Sequence, residues 1–100
     1  MRVQLHSAAR AEFLDAVARY EANVPGLGGR FLTEFARCVD LLCGTSTIGT
    51  PFGANLRRFV MDDRFPYSIV YTDRRNSIII VAVAHGARRP KYWKRRVVRS

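Results

Sequence analysis

The sequence predicts an α+β fold of order β-α-α-β-β-β, a helical hairpin packed on one face of a small, mainly antiparallel sheet, with a short basic C-terminal helix or tail. Three observations carry this. Between Ser7 and Gly44 apolar side chains recur at steps of three and four; beyond Leu56 they recur near every second residue. The links between the last three apolar runs, Asp62-Asp63-Arg64 and Asp73-Arg74-Arg75-Asn76, are short enough to force antiparallel pairing. A chain of 100 residues, 48% apolar and 25% charged, fits a single domain spanning 1–100 around one two-layer core.

Each element has its own signal. Val3 and Leu5 alternate with Arg2 and Gln4, a short half-buried strand. Ser7 is the expected N-cap of the first helix, with Glu12 and Asp15 near its positive end. Phe13, Val17, Tyr20 and Val24 mark one face of that helix, widened by Ala9 and Ala16, and Pro25-Gly26 ends it. Phe31, Phe35, Cys38 and Leu42 repeat the spacing in a second helix, which Gly44 stops. The short Pro-Gly-Leu-Gly-Gly connection folds the two helices into an antiparallel hairpin. Thr45 to Ala54 is expected as loop. Strands are expected over Leu56–Met61, Tyr67–Thr72 and Ser77–His85, with Pro66 at a strand start or on an edge and Ile78–Ala84, apolar on both faces, as the central strand. With both helices on one face, the other face is expected to stay open for binding. After Gly86 the chain reads as loop and then a basic segment beginning near Pro90.

Charge is distributed unevenly. Of 17 Lys plus Arg against 8 Asp plus Glu, residues 1–50 hold equal numbers, so the whole excess of +9 lies in residues 51–100. Such a field attracts polyanions or an acidic protein. MRVQLHS has no apolar h-region and the longest apolar run is far too short to span a bilayer, so a soluble cytoplasmic protein with reduced thiols and no membrane partner is expected. Cys38 and Cys43, five apart on a helix, point in different directions and read as packing thiols rather than zinc ligands. GxGxxG, P-loop, GxSxG and HExxH motifs are missing, and no metal, cofactor or small-molecule substrate is expected.

The chemistry-bearing residues gather near the end of the last strand: His85, Arg88, Arg89, Lys91, Tyr92, Trp93, Lys94, Arg95 and Arg96, with Arg57, Arg58 and Arg64 arriving from neighbouring strands and turns. Imidazole moves protons near neutral pH, guanidinium stabilises a phosphorane-like transition state, and aromatic rings stack on bases. These are the parts of a metal-free ribonuclease. They are equally the parts of one cationic docking platform, and the residues alone do not choose its ligand.

Phe65-Pro66-Tyr67-Ser68-Ile69-Val70-Tyr71, the apolar strand Ile78–Ala84, and His85-Gly86-Ala87-Arg88-Arg89-Pro90-Lys91-Tyr92-Trp93 together resemble the RelE/ParE superfamily of type II toxins. The element order matches along nearly the whole chain. The resemblance implies a small basic growth inhibitor silenced by a co-expressed, commonly acidic antitoxin that docks on the helical hairpin and the sheet. Two activities occur in the superfamily. The ParE-like branch binds DNA gyrase without cleaving RNA, and Tyr92-Trp93 with the basic C-terminal segment resembles it more closely. Arg57, Arg58, Arg64, Arg89, Lys91, Trp93, Lys94, Arg95 and Arg96 are then the target-binding candidates. The RelE-like alternative cleaves messenger RNA on the ribosome and would use His85, Arg88 and Tyr92. That pattern commonly has a strand arginine where this chain has Ser68, and Arg58 or Arg64 is the candidate substitute. A third reading is a non-toxic basic binding module.

Overall fold

The computed structural model describes residues 2–53, 55–86 and 96. Its elements run β1 (Arg2–Leu5), α1 (Ser7–Asn23), α2 (Leu27–Gly44), β2 (Thr50–Pro51), β3 (Arg57–Val60), β4 (Tyr67–Arg74) and β5 (Ser77–His85). The sheet order is β1-β5-β4-β3-β2; β1 joins β5 in parallel and every other pair is antiparallel. The α+β architecture read from the sequence is therefore present, with β5 inside the sheet as its two-sided apolarity requires.

Local chemistry sets the boundaries. The His6 N–H donates to the Ile80 carbonyl at 2.9 Å, and the His6 Nδ1 accepts from the Ala8 N–H at 3.1 Å. One residue thus closes the β1 ladder and caps α1, which moves the cap from the expected Ser7 to His6. Between the helices, the Glu21 carboxylate accepts from the Gly26 and Gly28 N–H groups, so a side chain of α1 satisfies the start of α2. Gly26 takes φ +89°, open to glycine at little cost. At Gly28 the helices come so close that a Cβ would lie 2.7 Å from the Val17 carbonyl oxygen.

On α2 the buried residues are Phe31, Phe35, Cys38 and Leu42, as the spacing predicts, together with Gly28. On α1 the buried axis is displaced: Ala9 and Ala16 are fully buried, Phe13, Val17 and Tyr20 are partly so, and Val24 is exposed. The alanines let α1 approach the sheet, while Phe13 fills the seam with α2, its ring centroid 4.5 Å from that of Phe35. Tyr20, Phe31, Phe65 and Tyr67 continue this aromatic layer over the sheet.

Two departures concern the second half. The expected loop 45–54 contains the edge strand β2, where Pro51 is tolerated on the sheet rim. Its position follows from Tyr71, whose hydroxyl accepts from the Gly49 N–H at 3.0 Å and donates to the Ser46 carbonyl at 2.7 Å. The other departure is a bulge. Val70 pairs with Ala82 but Tyr71 pairs with Ile80, so Val81 is an extra residue in β5. Ile78 and Ile80 lie in the helix-side core before it and Val83 after it.

The second face is not left open. Val70, Val81, Ala82 and Ala84 are at most 8% exposed, and Phe52 and Leu56 pack against them. A strand apolar on both sides needs cover on both sides, and the segment around β2 supplies part of it.

Candidate functional site

The described candidates do not share one face. His85 ends β5 directly opposite Tyr67, and the two rings meet edge to face with centroids 5.0 Å apart. Because Tyr67 packs on Tyr20 and Phe31, the imidazole sits on the helix side of the sheet. Burial raises the pKa of both Tyr67 and Tyr20.

Arg57 and Arg58 are adjacent in β3, so strand alternation sends them to opposite faces. The Arg57 guanidinium donates to the carbonyls of Thr47 (3.2 Å) and Gly49 (2.7 Å), tying down the loop before β2. Arg58 lies opposite Val70 on the far side from the helices. Its Nε donates to the Ser68 hydroxyl at 3.2 Å, and its guanidinium carbon is 5.7 Å from the centre of the Phe52 ring. Apart from these contacts its side chain is exposed, and its cation stands beside Ser68.

Arg64 sits in the β3–β4 turn. Its N–H donates to Asp62 Oδ1 at 3.0 Å and its side chain stands 3.6 Å from the same carboxylate. Asp62 titrates below the ordinary value, chiefly because of that backbone hydrogen bond. With Arg30, Thr33, Glu34 and Phe65, Arg64 lines a recess near the start of α2, so it belongs to the helix side.

Arg96 is three-quarters or more hidden, with only 16% of its side chain exposed. It forms a two-pronged pair with Glu12 at 2.9 and 3.0 Å and also donates to the Val81 carbonyl at 2.9 Å. Arg88, Arg89, Lys91, Tyr92, Trp93, Lys94 and Arg95 lie outside the described residues, as does the rest of the expected C-terminal helix or tail. The single platform drawn from the sequence is thus divided: His85, Arg57 and Arg64 on the helix side, Arg58 on the other, and Arg96 committed to an internal pair.

Residues 3–90 match the family described as "ParE toxin of type II toxin-antitoxin system, parDE". The chain belongs to the ParE toxin family. Among solved structures, one from P. aeruginosa, described as "Chromosomal ParDE TA system", has a similar fold: TM-score 0.71 and 17% identity, covering 85% of this chain and 95% of that one. A comparison with curated proteins finds no match. Among the described residues, no helix of this ParE-family chain is long and apolar enough to cross a membrane.

Glu12, which the sequence reading took as a charge near the positive end of the first helix, has a largely buried side chain paired with Arg96. A signal for it was present. Ala9, Glu12 and Ala16 follow the i, i+3, i+7 spacing of the face that α1 buries, so the carboxylate had to find partners inside.

Proposed function

We propose that this ParE-family protein arrests growth by binding an essential target, DNA gyrase, through the Arg58 face and the basic C-terminal segment, and that an acidic antitoxin neutralises it. The family match over residues 3–90 carries the toxin reading. The binding rather than cleaving mechanism is supported by the division of the candidates: His85 faces the tyrosine layer on the helix side, and Arg58 stands on the opposite side of the sheet. A general base and a phosphate-binding guanidinium must reach the same phosphodiester, and His85 and Arg58 stand on opposite faces of the sheet. The excess of +9 draws in an acidic antitoxin quickly at low salt.

Induced expression tests this. The expected outcome is growth arrest with DNA-damage signalling, intact messenger RNA, inhibition of purified gyrase, and rescue by a co-expressed antitoxin. Primer extension on ribosome-bound message that reveals new cleavage sites, lost in Arg88→Ala, would replace the gyrase reading with the ribonuclease one. A folded product that leaves growth untouched would leave the non-toxic binding module.

A further inference from the structure

Arg19, Arg37, Arg64 and Arg96 each stand beside a carboxylate of the chain, and Arg57 gives its N–H groups to two carbonyls. Arg58 is held by neutral partners instead. Its backbone is pinned between Thr50 of β2 and Val70 of β4, its Nε donates to the Ser68 hydroxyl at 3.2 Å, and its guanidinium carbon lies 5.7 Å from the centre of the Phe52 ring. Neutral contacts fix a guanidinium without cancelling its charge. The Nε bond uses one of five N–H donors, and among the described residues no acceptor takes Nη1 or Nη2, so the end of the planar fork is available to a ligand. Ser68 is itself well fixed: it pairs with Val60 on one side and Ala84 on the other, and it is buried. Apolar surface adjoins the cation. Val60, two residues along β3 on the same face, is 57% exposed, and Phe52 is half-buried.

We infer that Ser68 is a positioning residue, which presents the Arg58 fork to a carboxylate of the protein target. The carboxylate partner rests on the proposed target-binding function; the hold of Ser68 on Arg58 does not. A free arginine side chain samples many rotamers, and ordering it is a cost of association. The Ser68 and Phe52 contacts remove part of that cost before the partner arrives. Phosphates recur along a nucleic acid and are met by rows of cations, whereas an arginine set among apolar side chains has the composition of a protein–protein hot spot. An Asp or Glu of the target docked here accepts two parallel hydrogen bonds from Nη1 and Nη2. Val60 and Phe52 then shield that pair from water at its rim.

The test uses the full chain and the variants Ser68→Ala, Ser68→Thr, Arg58→Lys, Arg58→Ala and the double variant of Ser68→Ala with Arg58→Ala. Urea denaturation checks that each folds, and calorimetric titration measures affinity for purified gyrase without DNA. Arg58→Ala should weaken binding about tenfold, and Arg58→Lys nearly as much, because an ammonium keeps the charge and lacks the fork. Ser68→Ala should cost about three- to fivefold, with recovery in Ser68→Thr, which keeps the hydroxyl. The double variant should bind no worse than Arg58→Ala, since Ser68 acts through Arg58. In the NMR spectrum the Arg58 Nε–H, identified by its loss in Arg58→Lys, should exchange with water faster in Ser68→Ala than in wild type. Single effects that multiply in the double variant, or a Ser68→Ala that binds as wild type does, overturn the positioning role. Full affinity in Arg58→Lys overturns the fork, and an Arg58 effect that needs added DNA overturns the carboxylate in favour of phosphate. A wild type that does not bind gyrase removes the proposed target and the carboxylate partner together, and unchanged Nε–H exchange in Ser68→Ala still overturns the hold of Ser68 on Arg58.

Discussion

The two faces of the sheet are built from different materials. Toward the helices lie Phe31, Phe35, Phe65, Tyr67, Tyr71, Ile69, Ile78 and Ile80, closed by two alanines of α1. On the other side Val70, Val81, Ala82 and Ala84 form the buried apolar cluster, under Phe52 and Leu56, and Arg58 stands beside them. Burial is proportional to apolar area, so the first face supplies most of the stability. The second can then carry a cation without threatening the fold. Phe31→Ala would break this contrast most directly. Phe31 is fully buried and its ring stands 5.3 to 5.4 Å from those of Tyr20, Phe65 and Tyr67, so its loss should cost about 3–5 kcal/mol. Val70→Ala on the thinner face should cost about 1–2.5 kcal/mol. Urea denaturation measures both; equal costs would erase the distinction between the faces.

The helix seam sharpens the same comparison. Gly28→Ala drives a Cβ to 2.7 Å from the Val17 carbonyl oxygen and 2.9 Å from the Glu21 Cβ, and backbone cannot swing aside. A loss of about 1–3 kcal/mol is expected. Gly29, one residue on, has nothing within 4 Å of its added Cβ, so Gly29→Ala should be neutral or stabilise by about 0.5–1 kcal/mol through helix propensity. Thermal melting of the pair separates a packing effect from a general effect of glycine replacement.

These particulars show what a sequence exposes and what it hides. The α2 stripe was legible because Phe31, Phe35, Cys38 and Leu42 keep one helical face apolar and the opposite face charged. The bulge was not: Ile78 to Ala84 is apolar at every position, so one extra residue leaves no break in an alternation that does not exist. The face on which His85 emerges depends on that residue. β2 was hidden by Gly49 and Pro51, whose loop-like chemistry is overridden by the distant Tyr71 hydroxyl. The opposite facing of Arg57 and Arg58 follows from strand alternation alone, yet grouping residues by charge set that alternation aside.

Tyr71 joins the helix-side core to the β2 segment, so it probes how far the second face depends on the first. Tyr71→Phe leaves the Gly49 N–H and the Ser46 carbonyl without their partner and should cost about 1–3 kcal/mol at neutral pH. Burial raises the Tyr71 pKa above the ordinary 10.0. The unfolded chain therefore releases this proton first, and the contribution is whole below about pH 10 and lost as pH rises through the folded value. The stability gap between wild type and Tyr71→Phe should narrow above about pH 10. A gap that stayed constant across that range, measured by urea denaturation at stepped pH, would mean that the hydroxyl is not held neutral by burial.

The smallest expected change in stability is at Arg58, and there the comparison turns from fold to function. Its side chain is exposed, it donates one hydrogen bond to Ser68, and it stands over Phe52 at a distance where cation–π attraction is weak. Arg58→Ala should therefore shift the unfolding free energy by no more than about 0.5–1 kcal/mol. Growth arrest, if it depends on this face, should need about tenfold more inducer, the equivalent of about 1.4 kcal/mol of lost binding. Arg57→Ala supplies the contrast, because that guanidinium is spent on the carbonyls of Thr47 and Gly49: its removal should loosen the loop before β2 more than Arg58→Ala does. Should Arg58→Ala prove the more destabilising of the two, its cation would be structural, and the face opposite the helices would lose its claim to the target.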